Sequence, residues 1–293
     1  MTSVSHEPDS GTAPAYVAPK GACDAHFHVF GPEARYPYEQ GELRYRPPYA
    51  PIEHYLQLAH RLGFERFVLV QPSAYGMDNS CMLDAMRELD PAVRRGIIHL
   101  DEVRVTDRDL TVWDELGVRG IRVNVPPTKA AEAGFADVLR PRMLAYADIA
   151  RELGWHVELL TPGWLIRDLM PTLREFPVAF SVAHFGLFPV ENGLGQPGFR
   201  DFLDLLRDGS KRCWIKLSGI YRVSADPDFA DATDMAQALI DAAPDRAIWG
   251  TDFPHLSFSV DTVKLYNKLG EWADAAMRQR ILVDNPARLY GFW

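Results

Sequence analysis

The chain of 293 residues lacks several features that would point to other classes of protein. Its three cysteines, Cys23, Cys81 and Cys213, are too few and too scattered for a disulfide framework or a CxxC zinc site. No apolar run reaches the length of a membrane span, and the first residues have neither the basic nor the apolar segment of a signal peptide. We therefore expect a soluble, cytoplasmic protein with reduced core thiols and no membrane partner.

Positive charge is also scarce in this sequence. It has 31 Lys and Arg residues against 40 Asp and Glu residues, a formal net charge of −9, which argues against a nucleic-acid partner. The total charge does not exclude an anionic substrate, because local arginines decide that question. No GxGxxG or Walker motif opens a predicted helix, which weakens a nucleotide-binding interpretation.

What the sequence does contain is a regular alternation of short apolar stretches and amphipathic ones. Eight apolar stretches, the first at 23–30 and the last at 247–249, are each followed by a segment with helical spacing. This pattern indicates a parallel sheet covered on both faces, and eight units in 293 residues fit a (β/α)8 TIM barrel of the α/β class. We predict a flexible N-terminal arm at 1–20 and a single barrel domain at 21–293. The oligomeric state stays open, a homo-oligomer included.

Polar residues follow most of the predicted strands. In a barrel, the residues just past the carboxyl ends of the strands converge on one mouth. His26 and His28 end the first strand, where positions i and i+2 point the same way, about 7 Å apart. Two such imidazoles can hold a divalent metal or polarise a substrate oxygen, and the pair alone leaves both open. The other strand ends supply Gln71, Ser73, Arg122, Asn124, His184, Lys216, Ser218, Tyr221, Arg222, Asp252 and His255.

Three motifs resemble those of the amidohydrolase superfamily. They are Asp24-Ala25-His26-Phe27-His28, Val182-Ala183-His184-Phe185-Gly186 and Trp249-Gly250-Thr251-Asp252-Phe253-Pro254-His255. More narrowly, the sequence resembles the branch that contains 2-pyrone-4,6-dicarboxylate lactonase and related muconolactone and sugar-acid lactonases. This resemblance runs from about Gly21 to Phe292 and includes Val70-Gln71-Pro72-Ser73 and Arg119-Gly120-Ile121-Arg122-Val123-Asn124.

The resemblance implies a hydrolase that opens a small anionic lactone in the degradation of aromatic compounds. Asp252 would be the general base that takes a proton from water. His26, His28 and His184 would stabilise the negative charge that develops on the carbonyl oxygen. The branch implies no required cofactor, and one Zn²⁺ or Mn²⁺ on His26, His28 and Asp252 is the alternative. A binuclear site is disfavoured, because no bridging lysine follows strand four and Glu158 stands inside strand five.

The resemblance also indicates substrate-binding residues. Guanidinium groups fork onto carboxylates, which suits an acidic lactone. The residues that match substrate contacts in the dicarboxylate lactonase are Arg122, Arg222, Ser73 and Tyr45. Tyr45 lies in the long Pro-, Tyr- and Arg-rich stretch 31–51, which we interpret as a substrate loop.

The chain departs from that pattern in two places. An arginine expected shortly after Arg122 is missing, and Lys129 stands in the segment as a point charge that could replace it. The tyrosine expected at the end of strand five is Leu160. A related lactone with fewer or different acid groups is therefore as good a candidate as the pyrone dicarboxylate.

Two other functional classes use the same residues differently. A metal-dependent decarboxylase of the superfamily would place the same histidines and aspartate around an ion, so bound zinc and sensitivity to a chelator would indicate it. A non-catalytic binding protein on a barrel scaffold would not need Asp252 as a base. An Asp252→Asn variant that keeps turnover would point to that third class.

Overall fold

Eight short parallel strands form the centre of the molecule. A computed structural model describes residues 11–40, 43 and 45–292. Each strand pairs with the next along the chain, in the order β1 to β8, and side chains on both faces are buried. The strands are β1 Cys23–Phe27, β2 Arg66–Val70, β3 Arg94–Ile98, β4 Val118–Asn124, β5 His156–Leu160, β6 Phe180–Val182, β7 Cys213–Leu217 and β8 Ala247–Trp249.

The sheet closes where the chain after β8 meets β1. The amide of Asp252 donates to the His26 carbonyl at 2.8 Å, and the amide of His28 donates to the Phe253 carbonyl at 2.8 Å. Gly250 allows this approach, since a Cβ atom there would lie 2.5 Å from the His26 amide nitrogen. The closure confirms the predicted (β/α)8 barrel and sets the residues after β8 beside those of β1.

The helices surround the barrel, as the amphipathic segments predict. α3 shows how the sequence sets their bounds: Thr106 forms a capping box with Asp109, and Gly117 ends the helix in the left-handed conformation. In the described residues, no helix has the length and apolar character that crossing a bilayer requires. The helices are α1 Ile52–Leu62, α2 Ser80–Arg87, α3 Asp107–Leu116, α4 Phe135–Leu153, α5 Gly163–Arg174, α6 Phe199–Arg207, α7 Thr233–Ala242, α8 Thr262–Trp272, α9 Ala275–Gln279 and α10 Asn285–Tyr290, with a π-helical turn at Arg280–Asp284 before α10.

Apolar side chains fill the barrel below the site. Strand residues that face the interior, such as Cys23 and Val68, pack with Tyr290 and Phe292 from the C-terminal segment. The guanidinium of Arg95 donates to the Tyr290 carbonyl at 2.9 Å and lies 4.4 Å from the centre of the Phe292 ring. This end of the barrel is therefore packed, and the polar groups and the open space lie at the other end, where the carboxyl ends of the strands are.

The described part of the N-terminal arm lies against α8. Tyr16 stacks on Tyr266 with the ring centres 4.3 Å apart, and Asn267 accepts a hydrogen bond from the Ala15 amide at 2.7 Å. Residues 11–20 are therefore held on the outside of the barrel, and 1–10 lie outside the described residues.

Candidate active site

Three imidazoles meet at the carboxyl ends of the strands. The ring centres of His26 and His28 are 5.0 Å apart with the planes nearly perpendicular, and those of His26 and His184 are 4.7 Å apart. β1 ends at Phe27, one residue before His28, and its register on β2 shifts between Asp24 and Phe27. The two histidines converge as the sequence predicts, although His28 has already left the strand.

The carboxylate of Asp252 lies among these rings. Its Oδ1 is 3.6 Å from Nε2 of His26 and 3.5 Å from Nε2 of His28, and its Oδ2 is 3.9 Å from Nδ1 of His184. Asp252 and His184 both have positive φ, 58° and 54°, a conformation that few non-glycine residues adopt. The structure therefore brings together all four residues predicted to be catalytic.

The two oxygens of Asp252 are not equivalent. Oδ2 accepts a hydrogen bond from the Tyr221 hydroxyl at 2.5 Å and another from Nε of Arg222 at 2.8 Å. Oδ1 is buried and has no hydrogen-bond partner among the described residues. Burial acts to raise the pKa of Asp252, but Arg222 and the neighbouring imidazoles hold this pKa well below its usual value. Asp252 is thus ionised at neutral pH, with Oδ1 available.

Tyr221 connects the carboxylate to a fourth histidine. Nδ1 of His255 lies 3.2 Å from the Tyr221 hydroxyl, and its Nε2 lies 2.6 Å from the hydroxyl of Thr262 at the start of α8. The sequence places Tyr221 and His255 among the strand-end residues of the mouth but assigns neither of them a catalytic or binding role. Their positions just after β7 and β8 were the available signal, but position alone does not show which side chain turns toward Asp252.

Asp24 joins β1 to the segment after β8. Its Oδ1 accepts from the amides of His26 and Thr251, both at 3.0 Å. Its Oδ2 accepts from the hydroxyls of Thr251 at 2.6 Å and Tyr55 at 3.0 Å. These four hydrogen bonds fix the backbone on both sides of the seam, and so fix His26 relative to Asp252.

A buried group of charges lies beneath the imidazoles. The ammonium of Lys216 contacts Glu158, and Nε of Arg122 is 3.2 Å from the same carboxylate. Burial acts to raise the pKa of Glu158, but these two cations lower it to about 2. Nζ of Lys216 is also 3.3 Å from Nδ1 of His26. The sequence places Glu158 inside strand five and Lys216 at the end of strand seven, and assigns neither of them a role in the reaction.

A cavity of about 390 Å³ opens above this arrangement. His26 and Asp252 lie behind its wall, fully buried. Asn124, which the sequence places at the end of strand four, also lines it, and so do Thr128 and the 256–258 segment after β8, which the sequence does not single out. The predicted site residues that line the cavity are His28, His184, Arg122, Arg222, Ser73 and Tyr45.

Lys129 is the predicted binding residue that the structure does not bring to the cavity. Its neighbour Thr128 lines the cavity, but Lys129 does not. The Lys129 ammonium pairs with Glu132 and lies 4.5 Å from the centre of the Phe135 ring. The position of a side chain on a loop depends on the loop backbone, which the sequence spacing does not predict.

The spacing of these residues suits a divalent ion, but the group behind His26 does not suit one. His26, His184 and Asp252 offer ligand atoms within 4.8 Å of one another, and His28 Nε2 also faces Asp252. A metal-bound imidazole carries its proton on the nitrogen turned away from the ion, usually toward an acceptor. At His26 that nitrogen faces the Lys216 ammonium, which is a donor. The set as it stands does not fit a metal ligated by His26.

The same chain matches known proteins over nearly its whole length. The model of the Amidohydrolase family matches residues 23–292. A 4-sulfomuconolactone hydrolase of Rhizobium radiobacter is 36% identical over 292 residues, which cover 97% of this chain and 95% of the relative. A 2-pyrone-4,6-dicarboxylate hydrolase of Comamonas testosteroni is 30% identical, over 94% of this chain and 92% of the relative.

A similar structure is also known. A crystal structure of an Agrobacterium tumefaciens protein superposes with a TM-score of 0.82 at 26% identity, covering 95% of this chain and 98% of that one. The barrel, the motif positions and these matches agree. The chain belongs to the amidohydrolase family, in the branch that contains these lactone hydrolases.

Proposed function

We propose that the protein is a hydrolase that opens a small carboxylated lactone by adding water to the ester carbonyl. The observation that carries the proposal is the Asp252 carboxylate, held among three imidazoles directly beneath a cavity with two arginines in its wall. A related 4-sulfomuconolactone hydrolase and a related pyrone dicarboxylate hydrolase support a lactone substrate. The cavity volume of about 390 Å³ is in the usual range for small-molecule sites.

In this proposal Oδ1 of Asp252 takes a proton from the attacking water. Oδ1 is the oxygen without a hydrogen-bond partner among the described residues, whereas Oδ2 is occupied by Tyr221 and Arg222. Water adds to the lactone carbonyl, the ring C–O bond breaks, and the leaving oxygen takes up a proton. The product is a hydroxy acid whose new carboxyl group releases one proton at neutral pH.

Histidines shape the reacting end of the cavity. His184 and His28 line its wall, and His26 lies behind them. Burial lowers the pKa of His184 to about 3, so its ring is neutral and can polarise the carbonyl without taking a full proton. We assign these rings to the carbonyl oxygen and its developing charge.

The charges around the cavity favour an anionic substrate. Arg122 and Arg222 line it, and Lys216 lies beneath. Glu158 contacts both Arg122 and Lys216, and Asp252 contacts Arg222. A substrate carboxylate or sulfonate would pair with the two guanidinium groups of the cavity wall, with Ser73 and Tyr45 adding polar contacts.

We infer that the reaction requires no metal ion. Two observations support this inference. The Lys216 ammonium lies beside His26, and the lowered pKa of Asp252 means that the proposed base is already ionised. The names of the relatives favour a lactone substrate over the metal-dependent decarboxylase.

A panel of lactones tests the proposal. The purified protein, stripped with a chelator and assayed for residual metal, is mixed with 4-sulfomuconolactone, muconolactone, 2-pyrone-4,6-dicarboxylate and aldonolactones in a weakly buffered pH indicator. We expect one proton released for each lactone opened, with full activity after chelation. Isomerisation without proton release, or activity that returns only with added zinc or manganese, would contradict it. Release of carbon dioxide would identify the decarboxylase.

A further inference from the structure

The buried ammonium of Lys216 lies between Glu158 and His26. β7 carries Lys216 into the barrel interior, where its side chain and that of Glu158 are both fully buried. Nζ contacts the Glu158 carboxylate on one side and lies 3.3 Å from Nδ1 of His26 on the other. Oε1 of Glu158 is 3.9 Å from the same Nδ1 and has no hydrogen-bond partner among the described residues.

This contact decides which nitrogen of His26 carries the ring proton. An ammonium group has only N–H donors and no lone pair, so the atom that faces it must accept. Nδ1 of His26 is therefore the unprotonated nitrogen, and the proton of the ring is on Nε2. That N–H points toward Oδ1 of Asp252, 3.6 Å away.

His28 has the opposite arrangement. Its Nδ1 lies 2.7 Å from the backbone carbonyl of Val70, which can only accept, so Nδ1 carries the proton. Nε2 of His28 lies 3.5 Å from the same Asp252 oxygen. The two histidines of the HxH motif are thus held at Nδ1 by opposite kinds of partner, a donor at His26 and an acceptor at His28. A metal ion would need a lone pair from each of them.

We propose that Lys216 is a positioning residue that holds His26 with its proton on Nε2, so that this N–H faces Asp252 and the nitrogen cannot ligate a metal. The catalytic role of this proton position rests on the proposed function, in which Asp252 is the base. Without Lys216, Nδ1 of His26 would face Glu158 Oε1 and could donate to it. The ring would then turn a lone pair on Nε2 toward the cavity, in the carboxylate–histidine arrangement of metal sites.

The test reads the proton position in the substrate-free protein and so does not depend on turnover. Long-range ¹H–¹⁵N spectra of the ¹⁵N-histidine-labelled protein distinguish the two tautomers, and a His26→Asn variant assigns the signal. We expect His26 to be protonated on Nε2 and His28 on Nδ1. A wild-type His26 protonated on Nδ1 would overturn the proposal even if every variant failed to fold.

Two variants separate positioning from a general ion-pair role. Lys216→Met removes the donor and leaves Glu158 paired with Arg122 at 3.2 Å, and Glu158→Gln breaks the same ion pair while keeping Lys216 beside His26. We expect Lys216→Met to move the His26 proton to Nδ1 and to tighten zinc binding about 10- to 100-fold in a chelator-competition titration. Glu158→Gln should keep the wild-type tautomer and zinc affinity. Equal changes in both variants would show that the ion pair, not the contact with His26, is responsible.

These outcomes are independent of the lactone panel. A wild-type His26 protonated on Nδ1 in a protein that opens lactones without metal would reject the role of Lys216 alone. The expected tautomer in a protein that opens no lactone would reject the proposed function alone.

Discussion

Arg222 forms an ion pair with Asp252, and this contact gives Arg222 a second role besides substrate binding. Its Nε donates to Oδ2 of Asp252, and the residue also lines the cavity. Because an opposite charge favours the ionised form, Arg222 keeps the carboxylate charged but makes it a weaker base. From the sequence alone, an Arg222→Met variant would be expected mainly to raise KM. The structure adds an effect on the base itself.

We therefore predict that Arg222→Met changes both binding and pH dependence. KM should rise because a substrate anion loses its guanidinium partner. Without the cation the pKa of Asp252 rises, so the base is protonated at higher pH and the acidic limb of kcat/KM moves to higher pH. Steady-state kinetics from about pH 3 to pH 9 measures both effects: the wild-type acidic limb, set by the lowered pKa of Asp252, lies at the acid end of this range or below it, and the limb of the variant lies higher.

Arg222→Lys is the matched control for that variant. It keeps the positive charge and loses the planar fork, so KM should rise while the acidic limb stays nearer its wild-type position. An acidic limb that is identical in the wild type and in Arg222→Met would show that Arg222 does not act on Asp252.

At the scale of elements, the seam between β1 and the segment after β8 carries the site. Asp24 accepts four hydrogen bonds, and the two from Thr251 cross this seam. Hydrogen bonds to a charged group contribute more than neutral ones, especially when buried. The seam therefore couples barrel closure to the placement of His26 and Asp252.

Thr251→Val tests this coupling, because it removes the hydroxyl that donates to Asp24 at 2.6 Å and keeps the shape of the side chain. We predict a loss of about 2 kcal/mol in the free energy of unfolding, measured by urea denaturation, together with lower kcat. Thr251→Ser keeps the hydroxyl and should lose much less of both. Equal losses in the two variants would mean that packing of the methyl group, not the hydrogen bond, is what matters.

The sequence predicts the elements well where local chemistry sets them. The bounds of α3 follow from Thr106 and Gly117, and all eight strands follow from apolar stretches. β1 is an exception: the apolar pattern runs on to Phe30, but the strand ends at Phe27 because the His28 amide bonds to Phe253 across the seam. That partner is more than 200 residues away along the chain, so no local pattern can show it.

At the scale of the whole molecule, the barrel stacks three layers along its axis. Apolar side chains fill one end, the charges of Glu158, Lys216 and Arg122 lie in the middle, and the imidazoles with Asp252 lie under the cavity. The sequence identifies most residues of the uppermost layer because strand ends are visible in it. The middle layer depends on how β5 and β7 face each other across the interior, which spacing along one strand does not determine.

Acid should destabilise the folded barrel through its buried neutral histidines. Burial lowers the pKa of His156 to about 4, while its Nδ1 lies 2.7 Å from the Arg119 carbonyl. Between pH 6.5, the ordinary pKa, and pH 4 the unfolded chain binds a proton that the folded chain does not. Stability therefore falls as the pH falls through this window, by about 3 kcal/mol for this one residue.

His156→Asn isolates that contribution, since its amide can still donate to Arg119 but cannot titrate. We predict that the variant loses about 3 kcal/mol less than the wild type between neutral pH and pH 4, as measured by urea unfolding at each pH. The other histidines titrate alike in both proteins and cancel in the difference. A pH dependence equal to that of the wild type would contradict the prediction.

The most direct test of the whole account is the turnover of Asp252→Asn on the lactone that the panel identifies. The amide keeps the size of the side chain but cannot take a proton from water. We predict that kcat falls about 10²- to 10⁴-fold, with the circular dichroism spectrum unchanged. A folded Asp252→Asn protein whose kcat stays close to that of the wild type would show that Asp252 is not the base.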